Sequence, residues 1–164
     1  MVAIAAGAAL ALTGCARAVT VDPAPYAADP ICGQIILALP SQLAGLDEVP
    51  ASAQSAVAWG DGDIVLRCGV EPPPPTEDRC ISVTSGAGVT VDWINPEADS
   101  DLIPPHANVE RGAWSYISYG RVPAVELVVT TESGTQSPVE ILNAISLAVD
   151  NAPADRFCVG PTDY

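Results

Sequence analysis

The chain has 164 residues, 49% of them hydrophobic, with twenty Asp and Glu against six basic residues, all arginine, and a formal net charge of −14. That length suits one domain able to bury a core. Charge this one-sided repels nucleic acid and anionic lipid head groups, so nucleic-acid binding is excluded as a working hypothesis.

The first fifteen residues predict an address. Val2–Leu12 is an apolar run of signal-peptide length, too short for a membrane span of about 20 residues. Leu12-Thr13-Gly14-Cys15 has the order of a bacterial lipobox: a branched residue, two small ones, then the cysteine that becomes the lipid-bearing N-terminus. Residues 1–14 are therefore expected to be a lipoprotein signal peptide and Cys15 the lipidated residue. Each buried methylene contributes about 0.8 kcal/mol, so two acyl chains hold where one does not. The expected location is the extracytoplasmic face of the cell membrane; the rival is an ordinary secretory signal and a secreted protein. No Lys or Arg precedes the apolar run, which places the expected start of translation upstream of Met1. Residues 15–29, with Pro23, Pro25 and Tyr26 and no periodic apolar pattern, read as a flexible tether. Residues 30–164 read as a single domain.

Within that domain, Asp29-Pro30 opens a helix, with Asp as cap and Pro at the first helical position. Ile31, Ile35, Ile36 and Leu39 form its apolar stripe up to Pro40. Gln42–Leu46 reads as a second short helix or a turn. Strands are predicted at Ala56–Trp59, Ile64–Val70, Cys80–Thr84, Val89–Ile94, Ala113–Tyr119 and Ala124–Thr130, the last two joined as a hairpin. Gly60–Asp63 is a tight turn, and Asn95–Asn108, with three prolines and three acids, a surface loop. Ser137-Pro138-Val139-Glu140 predicts a capping box. It opens a helix to about Asp150, with Val139, Leu142, Ile145, Leu147 and Val149 as its apolar face. The expectation is an α+β fold: an antiparallel sheet of about five to six strands packed on one face against an N-terminal and a C-terminal helix.

Four cysteines remain beyond Cys15: Cys32, Cys68, Cys80 and Cys158. An even count in an exported domain predicts two disulfides, with three pairings open. Closeness in sequence favours Cys68 with Cys80 across the proline-rich loop, leaving Cys32 with Cys158. A zinc site is disfavoured, because there is no C-x-x-C pair and His106 is the single histidine.

Certain segments recur together in a known family. They are Cys32-Gly33 ahead of Leu39-Pro40, then Ala58-Trp59-Gly60-Asp61, Leu66-Arg67-Cys68-Gly69-Val70, Val91-Asp92-Trp93 and Tyr119-Gly120-Arg121-Val122-Pro123-Ala124-Val125-Glu126. In this the chain resembles an actinobacterial family of small exported or lipid-anchored proteins known as a domain of unknown function (thirty-five-fifteen). The resemblance spans roughly Cys32 to Cys158. It implies export and tethering, and it brings no catalytic residues.

No catalytic site is expected. A hydrolase needs a base beside its nucleophile; His106 stands alone in an acidic loop, and Thr84-Ser85-Gly86-Ala87-Gly88 reads as a turn. Asp61 with Asp63, and Asp99 with Asp101, are paired carboxylates better read as solvated turns than as Ca²⁺ sites. No metal and no cofactor is expected. A row of aromatics, Trp59, Trp93, Trp114 and Tyr116, together with Arg121, is the candidate ligand-binding set; its competing reading is core packing. Arg67 stands inside an apolar strand and needs a partner, for which Glu126 or Asp92 across the sheet are the candidates. The function expected is therefore an accessory or interaction protein of the envelope, with a membrane contact through its lipid and an envelope protein as partner. The alternative is a binding module for an envelope ligand: a glycan, a peptide or a lipid intermediate.

Overall fold

The computed structural model describes residues 18–107, 112–130 and 137–159. The signal segment and Cys15 lie outside these residues, as does Asn108.

Helix α1 (Pro30–Ala38) starts as the sequence predicts: Asp29 accepts from the Ile31 N–H at 2.8 Å and Pro30 occupies the first turn. Eight strands follow. They are β1 (Gln42–Leu43), β2 (Leu46–Val49), β3 (Ala56–Trp59), β4 (Ile64–Val70), β5 (Arg79–Thr84), β6 (Thr90–Asn95), β7 (Ala113–Ser118) and β8 (Ala124–Thr130). They form one antiparallel sheet in the order β1-β2-β3-β4-β8-β7-β6-β5. Helix α2 (Pro138–Val149) closes the fold. The expected five to six strands are thus corrected to eight. The extra pair is the segment read as a helix or turn: Leu43 pairs with Leu46 around Ala44 and Gly45, both at positive φ, which is hairpin geometry.

The core lies between the sheet and both helices. Ile64, Leu66 and Cys68 on β4, Trp93 on β6, and Val125, Leu127 and Val129 on β8 face Ile35 of α1 and Ile141, Leu142 and Ile145 of α2. Period-2 alternation sends Val65, Arg67, Glu126 and Val128 to the opposite face. The α2 face is rotated from expectation. Val139 and Leu147 are exposed, Ser146 and Ala148 are buried, and Ser137 caps through its carbonyl rather than its hydroxyl.

The stretch read as a tether over 15–29 is, from Ala18 onward, fixed to that opposite face. Val19 bridges Ala51, Val21 N–H donates to the Ser52 hydroxyl at 2.9 Å, and Tyr26 N–H donates to the Gly69 carbonyl at 2.8 Å. Val21, Ala24 and Ala27 are buried. Gly69 permits this: it has φ +91°, and a Cβ there would overlap the Tyr26 and Ala27 backbone.

Both disulfides form, with partners other than those favoured from sequence. Cys32 joins Cys68, and Cys80 joins Cys158. Cys68 on β4 and Cys80 on β5 are close along the chain, yet β8, β7 and β6 stand between their strands.

Candidate functional site

Arg67, Glu126 and His106 meet on the face opposite the helices, to which residues 18–29 are fixed. Arg67 and Glu126 are directly opposite on β4 and β8. The guanidinium grips the carboxylate in a fork, Nε to Oε1 at 2.8 Å and Nη2 to Oε2 at 3.0 Å, the bidentate geometry that strengthens such pairs. His106 Nε2 reaches Oε1 at 3.1 Å from the 96–107 loop. Arg67 also donates to the Asp22 carbonyl at 3.0 Å. Asp92, the other candidate partner, instead accepts the Cys158 N–H at 2.7 Å. The cluster lies beside a cavity of about 380 Å³ that also touches Val19–Asp22, Asp61 and Thr130. Glu126, the carboxylate of the cluster, is taken by Arg67 and His106, so the arrangement fastens the N-terminal segment and the loop to the sheet.

Burial alone would raise the Glu126 carboxyl. Hydrogen bonds from His106 and Arg67, with their charges, hold it below its ordinary value of 4.5. A carboxyl depressed in the folded state stabilises fully above its ordinary value, and that contribution is lost as pH falls through the folded value. Equilibrium unfolding followed from neutral pH down to about pH 3 is therefore expected to show a steep acid limb. The limb flattens in Glu126→Gln; equal limbs in the two proteins would contradict the assignment.

The aromatic set does not assemble into a surface. Trp59 and Trp93 are fully buried and Tyr116 nearly so; Trp59 donates to the Pro40 carbonyl at 3.0 Å. Arg121 is 5% exposed and clasps the end of α2. It donates to Asp150 Oδ1 at 3.0 Å and to the Ala152 carbonyl, where a cation also suits the helix dipole. Of the candidate ligand-binding residues, only Trp114 reaches solvent, at 44%.

Trp114 nevertheless stands in a groove that the sequence did not disclose. A depression of about 280 Å³ runs between the start of α2 and the sheet, lined by Arg79, Ile81, Val83, Trp114, Tyr116 and Val139. Beside it runs β5, the edge strand of the sheet, which among the described residues pairs only with β6. Asp78, just before β5, ties the groove's rim together. It accepts from the Glu97 N–H at 3.0 Å and from the Ser100 and Thr76 hydroxyls at 2.8 Å each. Desolvation opposes ionisation of Asp78, but these hydrogen bonds hold its carboxyl below the ordinary value. An edge strand next to an apolar slot is the geometry that accepts an extended peptide: backbone pairing supplies affinity and the slot supplies choice of side chain.

Among the described residues, no three His, Cys, Asp or Glu side chains converge as metal ligands would. Nor is any helix among them long and apolar enough to cross a membrane. Two disulfides indicate an oxidising, extracytoplasmic compartment. Fold and surface thus define an exported, disulfide-stapled single-sheet domain in which, among the described residues, β5 stands at the sheet edge beside an apolar groove. The chain belongs to the family described as protein of unknown function DUF3515, whose family model matches residues 1–154. No curated protein and no solved structure matches it.

Proposed function

We propose that this is a lipid-anchored accessory protein of the actinobacterial cell envelope that works by binding another envelope protein. The observation that carries the reading is the pairing of the β5 edge, which no further described strand covers, with the groove at Trp114, Ile81 and Val139. The envelope-ligand alternative loses its support, because three of its four aromatics are in the core. The lipobox at Leu12–Cys15 supports the anchor.

Two measurements test this. An alkyne fatty acid fed to cells is expected to label the chain, and Cys15→Ala to abolish the label and release the protein from membranes; label retained in Cys15→Ala would contradict the anchor. Membranes opened in mild detergent are expected to yield the chain in a complex larger than itself. Trp114→Ala, which alters a half-exposed side chain, returns it to the size of the isolated chain while leaving it folded. A complex indifferent to Trp114→Ala would contradict the groove as the contact.

A further inference from the structure

Val19 and the groove lie at the same end of the sheet, Val19 on the face opposite the helices and the groove on the helix face. Chain from the anchor enters at Val19, whose side chain lies over Gly62: a Cβ there would come within 3.2 Å of Val19 Cγ1. Gly62 belongs to the β3–β4 turn, and in that turn the Asp63 carbonyl accepts the Thr130 N–H at 2.7 Å. Thr130 ends β8 and stands opposite Ala113, which starts β7. Asn95 ends β6, bonds the Ser115 carbonyl through its side-chain amide at 3.0 Å, and stands opposite Arg79 at the start of β5. One end of the sheet therefore carries the entry point and, four strand spacings of about 4.8 Å away, the groove's mouth.

The leash is short. Only Ala16, Arg17 and Ala18 separate Cys15 from Val19. Four Cα steps reach at most about 14 Å. The polar layer of a leaflet takes up roughly 5–8 Å of that. With Cys15 acylated, Val19 is held within roughly 10 Å of the head groups, and the groove's mouth, four strand spacings further on, within roughly 30 Å of them.

The mouth is acidic. Glu77 precedes Asp78, and Glu97 and Asp99 lie in the segment that Asp78 holds through the Glu97 N–H and the Ser100 hydroxyl; all three are exposed and Asp78 is half-buried, with Arg79 in the groove's lining. An acidic rim repels anionic lipid and attracts basic chain.

We propose, building on the reading of an anchored interaction protein, that the groove's occupant is an extended juxtamembrane segment of a protein embedded in the same membrane. That segment is apolar where it meets Trp114, Ile81 and Val139, and basic where it crosses the rim.

The test uses the full chain in cells, with a photo-crosslinking side chain at Val139 and a control at Leu37, which is exposed on α1. Membranes are washed with alkaline carbonate before adducts are identified. A second version carries a proline-rich spacer of about 20 residues after Cys15, which lifts the groove by roughly 60 Å. The expected result is a Val139 adduct with a carbonate-resistant protein, absent from Leu37 and reduced about tenfold or more by the spacer. An adduct with lipid, an adduct with a carbonate-soluble protein, or an adduct unchanged by the spacer would each overturn the proposal. No adduct from Val139 while Cys15 is acylated overturns the groove itself. An adduct persisting in chains whose Cys15 carries no lipid overturns the leash and leaves the groove.

Discussion

Arg67→Ala is expected to destabilise the protein by about 3–5 kcal/mol, because it leaves a buried carboxylate without its main counter-charge. Glu126 is 4% exposed, and His106 alone cannot replace a bidentate guanidinium. Domains of this kind have about 5–15 kcal/mol in total, so the loss is a large fraction of stability. The substitution also removes the donor to the Asp22 carbonyl, so the N-terminal segment should exchange its amide hydrogens faster. Replacing both partners, Arg67→Met with Glu126→Leu, removes the charge and its need together. It is expected to recover most of the stability, within about 1 kcal/mol of the parent, since buried pairs often exchange for apolar residues without net cost. Urea unfolding of the single and double variants measures this. A loss below about 1 kcal/mol for Arg67→Ala, or a double variant no better than the single, would contradict the role given to the pair.

Removing the Cys80–Cys158 bond is the second large effect. It closes a loop spanning 78 residues, for which the chain-entropy relation gives about 4.5 kcal/mol. Cys32–Cys68, spanning 36 residues, gives about 3.8 kcal/mol by the same relation. The longer bridge also holds the tail. Ala154 bridges Arg121, and the Cys158 N–H is a hydrogen-bond partner of the buried Asp92. Gly120 lets the tail lie close: it has φ +68°, and a Cβ there would overlap the Arg156 carbonyl. The double change Cys80→Ser and Cys158→Ser should therefore free residues 153–159 as well as lower stability. Non-reducing peptide mapping and thermal unfolding check it. A Cys68–Cys80 peptide in the intact protein would contradict the pairing.

Alternation made six strands and both helices legible, because each predicted strand carries an apolar face opposite a polar or second buried one. β1 and β2 were not legible: they have two and four residues, and their turn is Ala44-Gly45 rather than the Asn-Gly that marks such hairpins. Arg67 with Glu126 could be anticipated, since a charge in an apolar strand needs a partner; His106 could not, because a loop residue twenty positions before Glu126 has no periodicity to place it. The disulfide partners escaped because closeness in sequence misleads when strand order separates neighbours. Residues 18–29 lack a pattern because they are held through backbone groups and small side chains such as Ala24 and Ala27. Nor does composition tell a buried tryptophan from a wet one: Trp59 and Trp93 point under the helices, and Trp114, near the sheet's end, does not.

Amide hydrogen exchange on the anchored protein tests most directly whether the groove is the contact surface. It is compared in native membranes and in vesicles made from the same extracted lipids. Slower exchange is expected in native membranes across Arg79–Thr84 and at Ala113–Ser115, with Gln42–Val49 and the 153–159 tail unchanged. Identical exchange of β5 in the two preparations, or protection appearing only at β1 and β2, would contradict it.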